Sequence, residues 1–345
     1  MDEGNDRVEG IEHRAVTEWF VDHASGVRPP LHFDLITGGH SNLTYRVTDS
    51  AGARWVLRRP PLGHVLQGAH DMGREYRLYS ALADSAVPVP PIVGLCTDPS
   101  VNGADFYVTE FVDGYVLRSP ADAEVVPVDA RPRLSEQLVA GLAAIHAVDL
   151  DGTGLADLGK REDYVARQLR TWLRQFNAMT SREVPLVEEV HDALTGRIPP
   201  QREATLVHGD YRLDNCLVTA TGEVAAVLDW EIATLGDPLA DLGYLMTYWG
   251  EASDAFLPLG DAATVAEGFA SRDDLVATYG AMTGRDTSDM GFYFAFANWR
   301  LACILEGVYS RYIGGASPEV PEEVEVFAQS VLDLTERAHE LLKEL

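Results

Sequence analysis

Three oxygen-bearing side chains in the middle of the chain have the spacing of a phosphoryl-transfer centre. Asp210 and Asn215 lie in the segment HGDYRLDN at residues 208–215, and Asp229 follows in the segment VLDWE at residues 227–231. In phosphoryl transfer, one Asp accepts the proton of the attacking hydroxyl, while an Asn five residues later and a second Asp bind the metal ions that bridge the ATP phosphates. The sequence therefore predicts Asp210 as the catalytic base. Asn215 and Asp229 are predicted as ligands of Mg²⁺, which prefers carboxylate, amide and phosphate oxygens.

A β-hairpin between Asn215 and Asp229 would bring the two metal ligands to one end of its strands. The apolar residues 217–218 and 224–228 are predicted as two short strands, with Gly222 at the turn between them. Asp and Asn are also common turn-forming residues, and any one of them alone would indicate no more than a turn. The ordered set, with strands at the right places, favours the metal-binding interpretation.

These segments resemble the motifs of the aminoglycoside phosphotransferase and choline kinase family, whose fold is that of a protein kinase. HGD at residues 208–210 is similar to the catalytic triplet, and DWE at 229–231 is similar to the kinase Asp-Phe-Gly. GDPLADL at 236–242 is similar to the family's next motif, whose second Asp, here Asp241, braces the catalytic loop. The resemblance covers roughly residues 30 to 315 and is greatest to the branch with kinase-like domains fused to acyl-CoA dehydrogenases.

The resemblance implies an α+β, two-lobed protein-kinase-like fold. Residues 1–112 would form a small nucleotide-binding lobe with an antiparallel sheet. Residues 113–345 would form a larger, mostly helical lobe with the catalytic loop, the metal site and the acceptor pocket. It also implies a phosphotransferase that uses ATP and Mg²⁺ to phosphorylate a hydroxyl group of a small molecule. The residue patterns agree, since they predict strands at 31–37, 43–48, 54–59, 92–96 and 105–111, a helix at 70–84, and further helices at 132–148, 163–179, 186–194, 241–249, 272–282, 288–312 and 321–345.

Two segments of the N-terminal lobe are expected to contact the nucleotide. Gly38, Gly39 and Ser41 join the first two strands, and glycine lets the chain bend closely enough for its amides, with the Ser41 hydroxyl, to approach the phosphates. An ordinary hairpin turn, which needs no ligand, is the alternative for these residues. Residues 112–114 are expected to form the hinge, and backbone groups near Glu110 to Val112 are expected to face the adenine, as hinge backbone does in this family.

An arginine stands where related enzymes have a phosphate-gripping lysine. That lysine lies on a strand, and a Glu on the following helix holds it. The only lysines of this chain are Lys160 and Lys343, so Arg58, near the end of the strand at 54–59, is expected to hold the phosphates. Glu75 is the expected partner of Arg58. The alternative is that the two residues are separate, exposed charges.

Two further side chains of the catalytic loop have predicted roles. Arg212 is expected to neutralise charge on the γ-phosphoryl group and is counted with Asp210 among the catalytic residues. A structural salt bridge from Arg212 to Asp214 or Asp241 is the alternative. His208 is expected to brace the loop through hydrogen bonds.

Composition limits where the protein acts. Residues 1–6 are acidic and polar, unlike a signal peptide, and no apolar run approaches the ~20 residues of a membrane helix. Three cysteines, Cys96, Cys216 and Cys303, are too far apart for a zinc-binding or disulfide pattern. We therefore expect a cytoplasmic protein.

The sequence leaves the acceptor open. A formal net charge of −27 disfavours nucleic acid and anionic membranes as partners and suits a cationic aminoglycoside. The resemblance to the dehydrogenase-fused branch instead favours a hydroxyacyl-CoA. An aromatic cluster at residues 292–299 would suit such an apolar acceptor if it lined the pocket, although aromatic faces more often belong to the core. A catalytically silent, nucleotide-binding interaction module is the alternative function, and the oligomeric state stays open.

Overall fold

The computed structural model of the protein describes residues 8–36, 42–62, 71–314 and 324–345. The chain divides into two units, Met1–Asp113 and Gly114–Leu345. A five-stranded antiparallel sheet is the main element of the first unit, whereas the second unit is built mostly from helices. This is the α+β architecture that the sequence predicts.

The sheet of the first unit contains β1 (His32–Leu35), β2 (Leu43–Thr48), β3 (Arg54–Arg59), β4 (Ile92–Cys96) and β5 (Phe106–Glu110). The strand order is β1-β2-β3-β5-β4, and neighbouring strands are antiparallel. Successive side chains of a strand point to opposite faces of the sheet. Trp55 and Leu57 are therefore buried on one face of β3, while Arg58 lies on the other face.

A helix lies on each face of this sheet. On the apolar face, α1 (His13–His23) contributes Phe20, whose ring centroid is 5.9 Å from that of Trp55. On the other side, α2 (Met72–Leu82) lies against β4 and β5. The Asp71 carboxylate caps α2 by accepting the Arg74 N–H at 2.9 Å, and Glu75 follows in the first turn of the helix. A single turn, α3 (Pro99–Asn102), which the sequence pattern does not predict, joins β4 to β5.

The second unit contains seven helices and two small sheets within the described residues. The helices are α4 (Arg131–His146), α5 (Tyr164–Met179), α6 (Pro185–Thr195), α7 (Pro238–Tyr248), α8 (Arg272–Thr283), α9 (Met290–Ile313) and α10 (Val324–Lys343). The antiparallel sheets pair β6 (Thr205–Val207) with β9 (Thr234–Gly236) and β7 (Cys216–Val218) with β8 (Val224–Val227). The β6–β9 sheet flanks the segment from 208 to 233 that contains the predicted chemistry, and the β7–β8 sheet lies within that segment.

Helix α9 is the central helix of this unit, since it contacts α5, α6, α7 and α10. Its aromatic residues between 292 and 299 are all buried. The indole N–H of Trp299 donates to the Val187 carbonyl at 2.9 Å, and the Tyr293 hydroxyl donates to the Asp237 carboxylate at 2.6 Å. These residues therefore belong to the core, which is the alternative that the sequence analysis left open.

Helix α7 begins three residues before its predicted start. The Asp237 carboxylate accepts the Leu239 N–H at 3.1 Å, and Pro238 occupies the first turn, where its missing N–H costs nothing. The pairing of β9 with β6 is also absent from the sequence prediction, because three residues give too little pattern to identify a strand. In the described part of the chain, no helix combines the length and the hydropathy that crossing a membrane requires.

Candidate active site

The segment predicted as the catalytic loop, residues 208–215, leaves the buried strand β6 through a glycine that the structure requires. Gly209 has a φ of +85°, a conformation that strains residues with a Cβ. A Cβ at this position would lie 3.3 Å from the Ile232 carbonyl oxygen and 3.2 Å from carbons of the Ile232 side chain. Glycine thus allows the loop to pass close to the segment that follows β8.

A buried carboxylate holds the backbone at the start of this loop. Asp241, on α7, is fully buried and accepts the N–H groups of His208 at 2.6 Å and Gly209 at 2.8 Å. Burial would raise the pKa of Asp241, but hydrogen bonding to His146 and to these backbone groups lowers it below its usual value. Asp241 therefore stays ionised and braces the loop, as the motif predicts.

His208 connects the loop to the segment after β8. Its Nε2–H donates to the Leu228 carbonyl at 2.9 Å, and its Nδ1 accepts the Asp210 N–H at 3.2 Å. A carbonyl can only accept, so this pattern places the ring proton on Nε2. The Trp230 ring lies 4.7 Å from the imidazole, centroid to centroid. His208 thus has the bracing contacts that the sequence predicts.

The predicted base and one predicted metal ligand contact each other. The Asn215 side-chain amide donates to the Asp210 carbonyl at 2.8 Å and to the Asp210 carboxylate at 2.7 Å. Because the NH₂ group faces Asp210, the amide oxygen of Asn215 points away from it. That oxygen is the atom that a hard cation such as Mg²⁺ would use.

Asp229 lies beside Asn215 at the open end of the β7–β8 hairpin. Cys216 pairs with Val227, and the Leu228 N–H donates to the Asn215 carbonyl at 2.8 Å. Asp229 follows with a φ of +65°, an uncommon conformation for a residue other than glycine. Such conformations persist where the surrounding structure imposes them, often at functional sites. An amide oxygen and a carboxylate, both suitable for Mg²⁺, therefore lie at the same end of one hairpin.

Arg212 forms ion pairs on both sides. Its Nε lies 3.4 Å from Asp210 Oδ1 and its Nη1 lies 2.9 Å from Asp214 Oδ2, and the guanidinium lies 4.6 Å from the ring centroid of Tyr248. Burial would lower the pKa of Arg212, but Tyr248 and the two carboxylates raise it above its usual value. Burial raises the pKa of Asp214. Of the two salt bridges considered for Arg212, the structure thus contains the one with Asp214.

A cavity of about 270 Å³ adjoins this arginine. Arg212, Asp214 and Tyr248 line it, with Arg118 and apolar groups such as Leu259. A larger cavity, about 460 Å³, lies at the N-terminal end of α7, and its lining includes none of the predicted catalytic or metal-binding residues. We therefore consider the smaller cavity as the candidate acceptor pocket.

In the first unit, the predicted partner of Arg58 is its actual partner. Arg58 Nε lies 3.3 Å from Glu75 Oε2, and the side chains are 16% and 2% exposed, so the alternative of two separate exposed charges is wrong. Tyr107 donates to Glu75 at 2.9 Å, and the Asn42 amide donates to it at 3.3 Å. Sequence reasoning missed Tyr107 and Asn42. Tyr107 is opposite Arg58 in the β3–β5 register, a relation that only the strand order reveals.

The other predicted nucleotide contacts are Glu110, Val112, Gly38, Gly39 and Ser41. Glu110 ends β5 with an exposed side chain, and its N–H donates to the Pro91 carbonyl at 2.8 Å. Val112, two residues later, has a backbone N–H for which the described residues provide no acceptor. Gly38, Gly39 and Ser41 lie outside the described residues.

The chain matches one protein family over most of its length. The profile of the phosphotransferase enzyme family (APH) covers residues 32–282. Acyl-CoA dehydrogenase family member 10 of Mus musculus is 36% identical over 317 residues, which are 90% of this chain and 29% of that protein. Acyl-CoA dehydrogenase family member 11 of Gallus gallus is 36% identical over 319 residues, 90% of this chain and 40% of that protein. The chain thus spans well under half the length of these two relatives.

Solved structures that are similar to this chain include aminoglycoside phosphotransferases. A Ralstonia eutropha protein, provisionally assigned as an aminoglycoside phosphotransferase, has a TM-score of 0.80 and 31% identity, with 96% of this chain and 98% of that chain covered. A thermostable variant of aminoglycoside phosphotransferase APH(4)-Ia, in a ternary complex with AMP-PNP and hygromycin B, has a TM-score of 0.62 at 16% identity, over 96% and 98% of the two chains. At that identity, the likeness shows the fold alone. The profile match and the relatives above 30% identity show that this chain belongs to the phosphotransferase enzyme family.

Proposed function

We propose that the chain is an ATP- and Mg²⁺-dependent phosphotransferase that moves the γ-phosphate to a hydroxyl group of a small molecule. The observation that carries this proposal is the cluster of Asp210, Asn215 and Asp229 in the catalytic loop and the adjoining hairpin. Asp210 would accept the hydroxyl proton. A carboxylate oxygen has two lone pairs, so the bond from Asn215 leaves acceptor capacity on Asp210 for that proton.

Asn215 and Asp229 would hold the metal. When bound, Mg²⁺ neutralises charge on the phosphates during transfer. Arg212 would help to neutralise the negative charge of the γ-phosphoryl group. Its guanidinium would then either leave Asp210 or contact Asp210 and the γ-phosphoryl group together. In the first unit, Arg58, oriented by Glu75, would hold the phosphates as a lysine does elsewhere.

The remaining nucleotide contacts are proposals on the same basis. The Val112 N–H would bind the adenine together with backbone groups at Glu110, and Gly38, Gly39 and Ser41 would contact the phosphates. Residues 1–112 would thus be the nucleotide-binding lobe and residues 113–345 the catalytic and acceptor-binding lobe. We propose a cytoplasmic location.

Among acceptors, we favour a hydroxyacyl thioester over an aminoglycoside. The cavity beside Arg212 offers an apolar wall for an acyl chain, and its exposed residue Arg118 suits an anionic group on the acceptor. A polycationic sugar would meet two guanidinium groups there but also the carboxylates of Asp214 and Asp261, so the charges of the lining do not by themselves exclude it. The names of the relatives, acyl-CoA dehydrogenase family members, support an acyl substrate. Aminoglycosides remain the second candidate, because the total charge of −27 attracts cations.

The test is to measure ADP formation and product mass with ATP and Mg²⁺, in parallel, for short hydroxyacyl-CoA esters and for kanamycin-type sugars. We expect saturable, Mg²⁺-dependent phosphorylation of at least one ester. Efficient phosphorylation of the sugars with none of the esters would overturn the acyl preference and keep the phosphotransferase. ATP binding without turnover on any acceptor, or on water, would instead support the silent interaction module.

A further inference from the structure

Arg300, in the middle of α9, is a buried arginine that bonds to the catalytic loop. It is only 3% exposed, and one of its Nη atoms donates to the Gly209 carbonyl at 2.8 Å. Its guanidinium lies 4.8 Å from the ring centroid of Tyr244 on α7 and 5.4 Å from that of Trp172 on α5. Two aromatic rings from different helices thus fix the position of this cation.

The environment keeps Arg300 charged. Burial would lower its pKa, but Tyr164, Tyr244 and Asp210 raise it above the usual value. Its Nε is buried, and the described residues provide no acceptor for it. Burying a cation with an unused donor is unfavourable, and an apolar side chain of similar volume would stabilise the core better. Stability alone is therefore a poor explanation for an arginine here.

The bond from Arg300 completes a set of contacts around one peptide group. The carbonyl of the Gly209–Asp210 peptide accepts from Arg300, and its N–H donates to His208 Nδ1. Asp241 holds the N–H of Gly209 itself. Glycine has more backbone freedom than any other residue type. Without these contacts, the Gly209–Asp210 peptide could therefore rotate and redirect the Asp210 side chain.

We propose that Arg300 is a positioning residue for phosphoryl transfer, which fixes the Gly209–Asp210 peptide so that the Asp210 carboxylate meets the acceptor hydroxyl. Arg300 does not contact substrate, because it is buried behind the loop backbone. It acts through Asp210. This inference rests on the proposed function.

Two substitutions separate positioning from packing. Arg300→Met keeps volume and removes the donors, while Arg300→Lys keeps a charge and a donor. Arg131→Met is the matched control, because Arg131 is also buried and its guanidinium donates to the carbonyls of Val126, Glu267 and Ala123, away from the catalytic loop. Each variant is assayed for ADP formation from ATP and Mg²⁺, with water and with the best acceptor of the panel.

We expect Arg300→Met to lower kcat about 100-fold, because small displacements of a reacting group have effects of this size, with the KM for ATP nearly unchanged. Arg300→Lys should recover about 10-fold of that loss, and Arg131→Met should keep the kcat of the wild-type protein when corrected for the folded fraction. An equal kcat in the Arg300 and Arg131 variants would overturn the proposal. So would a loss confined to KM. A wild-type protein without any turnover would contradict the proposed function instead.

Hydrogen exchange provides a measurement that needs no turnover. The backbone amides of residues 208–215 should exchange at least ~10-fold faster in Arg300→Met than in wild type, since their carbonyl anchor is lost. In Arg131→Met the same amides should exchange as in wild type. Unchanged exchange in Arg300→Met would show that the arginine does not hold the loop, and the proposal would be wrong.

Discussion

The two units hold their predicted reactive groups in different ways. In the first, the Arg58 side chain is held by another side chain, Glu75, which Tyr107 and Asn42 hold in turn. In the second, the buried side chains of Asp241 and Arg300 hold the backbone next to Asp210. A long arginine side chain that is held at its head can adapt to a ligand, whereas a carboxylate on a fixed backbone is oriented before the substrate arrives. We therefore expect the first unit to govern affinity for ATP and the second to govern the rate of transfer.

The substitution Asp210→Asn should give the largest separation between rate and affinity. The amide keeps the shape of the side chain but cannot take the hydroxyl proton, so kcat should fall about 1,000-fold or more. The Kd for ATP should stay within about threefold, because the base does not grip the nucleotide. The two quantities are measured by product formation and by calorimetric titration. Near wild-type turnover would remove Asp210 from the mechanism.

Breaking the ion pair of the first unit should act on folding and on affinity together. Arg58→Met removes the guanidinium that pairs with the buried Glu75 carboxylate, so the free energy of unfolding should fall by roughly 3 kcal/mol. This is the low end for buried pairs, because Arg58 is partly exposed. The control is Arg46→Met, whose pair with Asp34 is about half exposed and should contribute at most ~1 kcal/mol. Denaturant titrations of both variants measure the difference, and equal losses would contradict the structural role of the pair.

For Arg58→Met protein that remains folded, the contrast between the two units also predicts the kinetic constants. The KM for ATP should rise while kcat changes little. If kcat fell as in Asp210→Asn and the KM stayed constant, the contrast between an affinity unit and a rate unit would be wrong.

Metal dependence tests the hairpin end of the second unit. Asp229→Ala should weaken ATP binding in the presence of Mg²⁺ by at least the ~10–100-fold that loss of a group supporting a metal site produces. Asn215→Ala should have the same effect in milder form, since it removes a neutral ligand. Titrations with and without Mg²⁺ decide the matter. Equal weakening under both conditions would exclude these residues as ligands.

The smallest expected effect is on the pH dependence of stability, through His146, which contacts the Asp241 carboxylate behind the catalytic loop. Burial lowers the pKa of His146, which lies between the Tyr279 hydroxyl and Asp241. The unfolded chain, with a His pKa of about 6.5, then binds more protons than the folded protein, so stability is present above that pH and falls as pH drops toward the folded pKa. His146→Gln should make the slope of unfolding free energy between pH 7 and 5 shallower, by at most ~1.4 kcal/mol per pH unit.

The control for that experiment is the exposed His23 on α1, which is replaced by Gln in the same way. His23 contacts the Trp19 carbonyl of its own helix at 2.8 Å, whereas His146 contacts the Asp241 carboxylate. A slope change of similar size in both variants would contradict the assignment to His146.

The sequence predicts interactions between residues that are close along the chain better than contacts between distant elements. The spacing of Asp210, Asn215 and Asp229 is readable from the sequence because one loop and one hairpin connect them, and their roles stay predictions. The strands at 43–48, 54–59 and 92–96 are confirmed, because alternation and turn residues bound them. Two longer-range contacts of the site, from Arg300 and from Tyr107, were not predictable. Each depends on which element lies beside which, and Arg300 is 91 residues from the carbonyl that it binds. The left-handed backbone at Asp229 was equally hidden, since nothing in its residue type requires it.

Position 58 has an arginine where related enzymes have a lysine, and this difference affects which chemical probes can label the protein there. Reagents that deliver an acyl group from a nucleotide phosphate label a nearby uncharged amine. The guanidinium of Arg58 stays protonated and does not react in this way. The two lysines of the chain, at 160 and 343, are distant in sequence from every predicted nucleotide contact. Amine-directed nucleotide probes should therefore leave position 58 unlabelled. A guanidine-directed reagent such as a vicinal dicarbonyl, with protection by ATP as the signal, is the better choice.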